Sequence, residues 1–215
     1  MNVVPEPLAR ILEPAAIEAE SFRIIEEELG PHRFTPEEFQ VVRRVIHASA
    51  DFEFAKNLRF GKGAIASAVA ALRGGCDVVC DVQMVQAGVS EARLKRFGGK
   101  ARVFIADPDI VEEAKRLGIT RAICAMRKAA QACPGAVYAI GNAPTALLEA
   151  TRLALAGEMR PACIVGVPVG FVSAAESKEA VAKTSLPYIA ALGRKGGTPV
   201  AVSIVNALLI LAEGA

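Results

Sequence analysis

The sequence predicts an α/β fold: a three-layer arrangement in which a five-stranded parallel sheet is flanked by helices, with an N-terminal helical segment before it. Short apolar runs rich in valine, isoleucine and alanine alternate with helical patterns, as in strand–helix–strand units. These runs are almost continuously apolar, which is typical of strands buried on both faces. A chain of 215 residues with 53% hydrophobic content can form one large core, so we predict a single domain over residues 1–215.

About 60 residues of helical pattern come before the first predicted strand. The first helix is predicted over residues 13–29. Thr35, followed by Pro36 and then by Glu38 three positions after the threonine, forms a capping box that begins the second helix. A third helix, over residues 62–73, is rich in alanine and can therefore pack closely against its neighbours. Together these helices make up the N-terminal segment.

The rest of the chain alternates between strands and helices. Helix start signals are found at Ser90, at Asp107-Pro108, and at a capping box from Ser173 to Glu176. The last helix begins at Thr198-Pro199 and ends near residue 212. The five strands are predicted over residues 77–82, 101–106, 136–140, 162–167 and 186–192.

Composition argues against several classes of function. A net charge of +2 and an aromatic content of 5% do not favour nucleic-acid binding. The longest apolar stretch, residues 199–211, contains Ser203 and Asn206 and is shorter than the roughly 20 residues that a membrane-spanning helix needs. The N-terminus has no basic region followed by an apolar stretch, so we expect no secretory signal and a cytoplasmic location.

The five cysteines lie in apolar surroundings and are odd in number, which indicates free buried thiols. Cys76 and Cys80 flank a predicted strand, so roughly 13 Å would separate them, too far to share one metal ion. No metal site is predicted.

Loops after the last three strands are suited to an anionic ligand. Ligands of parallel sheets bind outside the carboxyl ends of the strands. The loops are GNAPT at 141–145, PVGF at 168–171 and GRKGGT at 193–198, and each leads into a helix N-terminus, where N–H groups favour anions. Neither a Walker A motif nor a dinucleotide-binding glycine fingerprint is present. The alternative for each loop is that its glycines only make turns and its cations only face water.

Only two histidines are available for acid–base chemistry near neutral pH. His32 lies in a predicted loop, whereas His47 lies near the end of the second helix, with Arg43 and Arg44 on the same side. If that helix continues, Asp51 follows one turn later and could orient the imidazole ring. The alternative is that His47 only caps the helix. The residues alone therefore indicate an α/β enzyme with one candidate acid–base histidine and an anionic ligand.

Several stretches, in order along nearly the whole chain, resemble the precorrin-8X methylmutase family of corrin biosynthesis. One departure is Ala50, where the family usually has glycine. The matching stretches are SFRII at 21–25, RRVIHASADF at 43–52, DVQMV at 81–85 with Gly88, TR at 120–121, IGNAPTAL at 140–147, VGVPVGFV at 165–172 with ESK at 176–178, and GRKGG at 193–197.

The resemblance implies an isomerase that moves a methyl group from carbon eleven to carbon twelve of precorrin-8X or cobalt-precorrin-8, giving hydrogenobyrinic acid or cobyrinic acid. It implies that His47 is the general acid, that no cofactor or protein-bound metal is needed, and that the protein is a homodimer with sites near the interface. The sequence does not distinguish the cobalt-free from the cobalt-containing substrate.

The implied substrate is a flat tetrapyrrole with many carboxylates, and the predicted contacts follow its chemistry. Arginine and lysine would hold carboxylates, methionine, valine and phenylalanine would cover the ring, and serine hydroxyls would add hydrogen bonds. Structural roles are the alternatives: Arg121 as a helix cap, Phe171 as core and Ser90 as an N-cap. The predicted contact residues are Ser21, Arg43, Arg44, Asp51, Asp81, Met84, Val85, Ser90, Arg121, Gly141, Asn142, Thr145, Phe171, Ser177, Arg194 and Lys195.

Two other functions use the same features. A corrinoid carrier would need the binding residues but not His47. An α/β enzyme acting on a phosphorylated small molecule would use the GRKGGT loop without binding a tetrapyrrole.

Overall fold

A single mixed sheet lies at the centre of the computed structural model, which describes residues 14–214. Within this range the strands are β1 (Leu58–Phe60), β2 (Val78–Cys80), β3 (Ala101–Arg102), β4 (Val137–Ile140), β5 (Cys163–Gly166) and β6 (Tyr188–Ala191). Their spatial order is β1-β6-β5-β4-β2-β3. The five strands predicted from sequence are present and parallel, as expected.

The sixth strand, β1, was not predicted, and it pairs antiparallel with β6 at the edge of the sheet. It has only three residues, too few to show a hydrophobic period. Strand β3 has only two residues, shorter than predicted, because the chain leaves the sheet and packs Phe104 and Ile105 against helices instead.

The helices of the described residues are, in chain order, α1 (Pro14–Leu29), α2 (Pro36–Ser49), α3 (Glu53–Asn57), α4 (Ala64–Arg73), α5 (Gln83–Gly88), α6 (Glu91–Arg96), α7 (Pro108–Leu117), α8 (Arg121–Ala132), α9 (Pro144–Leu155), α10 (Ala174–Ala182) and α11 (Thr198–Glu213). One face of the sheet packs on α4 and α11, with α2 packed on α11. The other face packs on α8, α9 and α10. This confirms the three-layer arrangement. The first residue of the first predicted helix, Glu13, lies outside the described residues.

The start and end of α2 fix the position of His47. Thr35 Oγ1 accepts a hydrogen bond from the Glu38 backbone N–H at 3.2 Å, and Glu38 Oε2 accepts one from the Thr35 N–H at 3.0 Å, so the predicted capping box is confirmed. Such a cap stabilises a helix by about 1 kcal/mol. At the other end Ala50 adopts a left-handed conformation, with φ 52°. The helix therefore ends directly after the turn that carries His47.

We predict that Ala50→Gly raises the free energy of unfolding by about 1 kcal/mol, because a non-glycine residue in the left-handed region carries a steric cost that glycine does not. Urea denaturation measures this change. The matched control is Ala48→Gly, which places glycine in the last helical turn and should instead destabilise the protein by about 0.5–1 kcal/mol. Equal effects of the two substitutions would contradict the strain at Ala50.

The capping box predicted at Ser173 is wrong. Ser173 is also left-handed, with φ 59°, and its side chain makes no capping hydrogen bond to α10. The backbone conformation needed to turn from β5 into α10 removes the serine from the extended region that a capping residue normally adopts. Glu176 stays exposed in the first turn of α10.

The thiols and the apolar helices agree with the sequence analysis. Cys80, Cys124, Cys133 and Cys163 are buried, Cys76 is half-buried, and all five are free. Burial raises the pKa of the Cys76 thiol to about 11 and that of Cys80 to about 12. Of the helices between residues 14 and 214, none has the length and apolar character required to cross a bilayer.

Candidate active site

Asp81 organises the carboxyl end of the sheet. It directly follows β2 and is buried beside the loop that follows β4. Its Oδ1 accepts a hydrogen bond from the Gly141 N–H at 3.2 Å, and its Oδ2 accepts from the N–H groups of Asn142 and Ala143 at 2.7 and 2.9 Å. Burial raises the pKa of Asp81, and the three N–H donors oppose that rise. Asp81 therefore holds a loop in place.

This arrangement corrects two expectations. The helix N-terminus from Asn142 to Thr145 is predicted to offer N–H donors to a substrate anion, but the Asp81 carboxylate already accepts from the N–H groups of Asn142 and Ala143. Asp81 itself has an exposed fraction of 1%, so its side chain does not reach the cleft surface in this structure. Gly141 and Asn142 still line the cleft, through their remaining atoms.

The loops after β5 and β6 are hydrogen-bonded to each other. The Gly197 N–H donates to the Val167 carbonyl at 2.8 Å, and the Gly170 N–H donates to the Arg194 carbonyl at 3.2 Å. A Cβ at Gly196 would lie 2.2 Å from the Val167 carbonyl oxygen, so only glycine fits between the loops. The GRKGGT segment is therefore held against the neighbouring loop rather than free in solvent.

A cleft of about 590 Å³ opens above this edge of the sheet. Met84 and Phe171, predicted to cover a substrate ring, are both strongly exposed, with exposed fractions of 69% and 84%. The Arg194 guanidinium lies 5.4 Å from the centre of the Phe171 ring, a cation–π distance. The cleft is lined by Val82, Gln83, Met84, Gly141, Asn142, Val169, Gly196, Gly197, Thr198 and Pro199.

His47 lies beside this cleft, exposed in the last turn of α2. It lines a pocket of about 300 Å³ with Arg44, Ser203 and Pro199, and Pro199 also lines the cleft at the sheet edge. A second pocket, of about 230 Å³, brings His47 together with the predicted contact Ser21. The imidazole is therefore accessible to a ligand that extends from the cleft toward α1.

The aromatic ring of Phe22 supports the cluster on α2. The Phe22 and His47 rings meet edge to face with centroids 5.3 Å apart, and the guanidinium groups of Arg43 and Arg44 lie 4.2 and 5.1 Å from the centre of the Phe22 ring. Both arginines also pair with carboxylates of α1, Arg43 with Glu26 at 2.5 Å and Arg44 with Glu18 at 2.9 Å. Sequence spacing placed the arginines correctly on the side of His47. Their pairing to α1 was not predicted.

Asp51 does not orient His47, contrary to expectation. The helix ends before it, and Asp51 Oδ2 instead accepts a hydrogen bond from Lys195 Nζ at 2.6 Å. Lys195 also pairs with Glu53. The hydrogen bond from Lys195 lowers the pKa of Asp51. The carboxylates of Asp51 and Glu53 in turn raise the pKa of Lys195. These ion pairs tie the GRKGGT loop to the segment that follows α2.

Three further predicted contacts lie around the same region. The Thr145 and Thr120 hydroxyls are 3.2 Å apart, which brings the N-termini of α9 and α8 together and places the exposed Arg121 beside Thr145. Ser90 is the N-cap of α6, but its side chain makes no capping bond. Its N–H donates to Asn206 Oδ1 at 2.8 Å.

Two predicted contacts are buried core positions in this structure. Val85 is fully buried under α11, and Ser177 is fully buried with its hydroxyl donating to the Ala174 carbonyl at 3.0 Å. In this structure neither side chain has any surface exposed to the cleft. The sequence missed these placements because both positions lie on short helices whose buried face has too few residues to show a period.

Sequence reasoning also missed residues that the structure brings to this region. Lys178 is fully buried in α10, and its Nζ donates to the Lys195 carbonyl at 2.7 Å. Asn206, a polar residue in a largely apolar helix, accepts a hydrogen bond from the Ser90 N–H and donates one to the Gly88 carbonyl. A polar group inside an apolar run is the signal that could have identified Asn206.

A parallel-sheet edge with a cleft, an accessible histidine and several cations defines an α/β enzyme for an anionic ligand. The family model for precorrin-8X methylmutase matches residues 16–211. The chain belongs to the precorrin-8X methylmutase family. It is an isomerase of corrin biosynthesis that transfers a methyl group within one molecule.

Individual members of the family are similar to this chain over most of their length. The chain is 53% identical to the cobalt-precorrin-8 methylmutase of Priestia megaterium over 202 residues, covering 94% of this chain and 90% of that protein. It is 38% identical to the precorrin-8X methylmutase of a Sinorhizobium species, covering 90% and 92% of the two chains. A crystal structure of precorrin-8X methylmutase from Thermus thermophilus superposes with a TM-score of 0.85 at 40% identity, covering 93% and 98%.

Proposed function

We propose that His47 is the general acid of the methyl transfer. The observation that carries this proposal is that His47 is accessible in a pocket that shares Pro199 with the cleft. His32, the other histidine of the chain, stacks on Phe39 with ring centroids 4.2 Å apart and lines neither of these pockets. Imidazole is the side chain best suited to donate a proton near neutral pH.

In the proposed mechanism, the His47 imidazolium donates one proton to the macrocycle while the methyl group moves from carbon eleven to carbon twelve. The bond between the methyl carbon and carbon eleven breaks, and a bond between the same methyl carbon and carbon twelve forms within the same molecule. Because the overall reaction is an isomerisation, the product has the atoms of the substrate, and a proton must return to the imidazole before the next turnover. Arg43 and Arg44 already pair with Glu26 and Glu18, so we assign them first to holding α1 beside His47 and second to a substrate carboxylate.

The remaining contacts are proposed from exposure and charge. Arg194 and Arg121 are exposed at the sheet edge and suit the peripheral carboxylates of the substrate. Met84 and Phe171 are exposed apolar side chains suited to the flat ring. Lys195 already pairs with Asp51 and Glu53. We therefore assign its main role to fixing the GRKGGT loop and only a secondary role to binding a substrate carboxylate.

The visible spectrum of the protein mixed with precorrin-8X tests the function. Wild type should convert the substrate to a product with the more conjugated chromophore. Binding without conversion would favour a corrinoid carrier, and competition by inorganic phosphate without tetrapyrrole binding would favour an enzyme for a phosphorylated small molecule.

We propose that the natural substrate contains cobalt. Relatives named for cobalt-precorrin-8 share 39% to 53% identity with this chain, whereas relatives named for precorrin-8X share 38% to 40%. The kcat/KM for the cobalt form should exceed that for the cobalt-free form. Equal or reversed values would contradict the assignment.

We propose further that the protein is a cytoplasmic homodimer. Val169, Phe171 and Val172 form an exposed apolar patch, with exposed fractions of 49%, 84% and 84%, beside the cleft. A second copy that covers part of this patch would shield it and enclose the cleft. Analytical ultracentrifugation should give twice the 22.5 kDa chain mass, and Val172→Asp should produce monomers.

A further inference from the structure

A buried lysine lies beneath the cleft and has no role in the reaction described above. Lys178, in α10, has a fully buried side chain. Among the described residues no carboxylate pairs with it, and its Nζ donates to the backbone carbonyl of Lys195 at 2.7 Å. Burying an ammonium group without a counter-charge costs free energy, and burial lowers its pKa to about 8.

The hydrogen bond from Lys178 Nζ to the Lys195 carbonyl holds the middle of the GRKGGT loop. Lys195 is at the centre of that loop, between Arg194, whose guanidinium lies over Phe171, and Gly196, which packs against the Val167 carbonyl. The Lys195 side chain is tied on the other side to Asp51, which follows the helix that carries His47. The Lys178 ammonium and the Asp51 carboxylate therefore hold the same residue from opposite ends.

We propose that Lys178 is a positioning residue: it fixes the GRKGGT loop so that Arg194 and Phe171 are set for the substrate. This inference rests on the proposed use of that loop in binding. The rigid loop avoids the entropic cost of ordering it when ligand binds. Removing the ammonium should therefore weaken ligand binding while leaving the proton transfer by His47 in place.

The test compares wild type with Lys178→Met, which keeps the volume and removes the donor, and with Lys178→Gln, whose shorter side chain does not reach the carbonyl. We expect product affinity for hydrogenobyrinic acid to fall about tenfold in both variants, with kcat within about threefold of wild type. Backbone amides of residues 193–197 should exchange hydrogen about tenfold faster. The control, Lys183→Met, removes an exposed charge at the end of the same helix and should change none of these.

The outcomes separate this inference from the proposed function. Failure of the wild type to bind the tetrapyrrole would overturn the proposed function, whereas amide exchange would still report on the loop. Tetrapyrrole binding by wild type together with unchanged affinity and unchanged exchange in the variants would overturn the role of Lys178. If Lys178→Met does not fold, the same measurements on Lys178→Gln decide. Loss of kcat at unchanged affinity, in proportion to lost folded protein, would show a merely structural role.

Discussion

His47→Ala is expected to lose turnover by a factor of about 10²–10⁴, the usual contribution of one general acid. Its affinity for hydrogenobyrinic acid should stay within about threefold of wild type, because the cations and apolar side chains around the cleft remain in place. His47 is exposed and makes only an edge contact with Phe22, so removing the ring should not unfold α2. The rate of the spectral change under single-turnover conditions, together with product titration, measures both quantities.

The control for this experiment is His32→Ala. His32 stacks on Phe39 and lies tilted against Phe34 at the start of α2, at the opposite end of that helix from His47. The His32→Ala variant should keep the wild-type turnover rate. Conversion by His47→Ala at the wild-type rate would remove the histidine from the mechanism but leave the isomerase assignment intact, since that assignment rests on the family.

The sequence predicted the parts of the fold that depend on local pattern. Apart from the two-residue β3, each parallel strand is apolar and buried on both faces, and the capping box at Thr35 is a four-residue signal. Strand β1 was missed because its formation depends on pairing with β6, about 130 residues away, and its three residues carry no period of their own.

In the site, too, local pattern predicted some features and contacts between distant residues were missed. His47 and the two arginines beside it were placed correctly, because helical spacing alone puts them on one side. The partners of Asp51, Lys178 and Asp81 were not predictable. Lys195 lies 144 residues from Asp51, and Gly141 lies 60 residues from Asp81. No local pattern specifies contacts over such separations, so charged residues that resembled substrate ligands proved to bind other parts of the chain.

Asp81→Asn is expected to lower the free energy of unfolding by roughly 2–3 kcal/mol. After the loss of turnover in His47→Ala, this is the largest effect that we predict. The carboxylate accepts three backbone hydrogen bonds through two oxygens. An amide has only one oxygen, so its NH₂ group must face the N–H of Gly141 or those of Asn142 and Ala143. Because burial raises the pKa of Asp81, neutralising the group recovers part of the loss, but donors that face each other in a buried site remain costly. Urea denaturation measures the change.

The matched control for Asp81→Asn is Asp77→Asn, at the opposite end of the same strand. Asp77 also accepts a backbone hydrogen bond, from the Lys100 N–H at 2.8 Å, and pairs with Arg102 at 2.9 Å. It is less buried than Asp81 and lies at the amino edge of the sheet, away from the cleft. Its substitution should cost about 1 kcal/mol and leave product affinity unchanged. Asp81→Asn should weaken product binding as well, because the loop at 141–143 lines the cleft. Equal product affinity in both variants would show that Asp81 stabilises the fold without shaping the site.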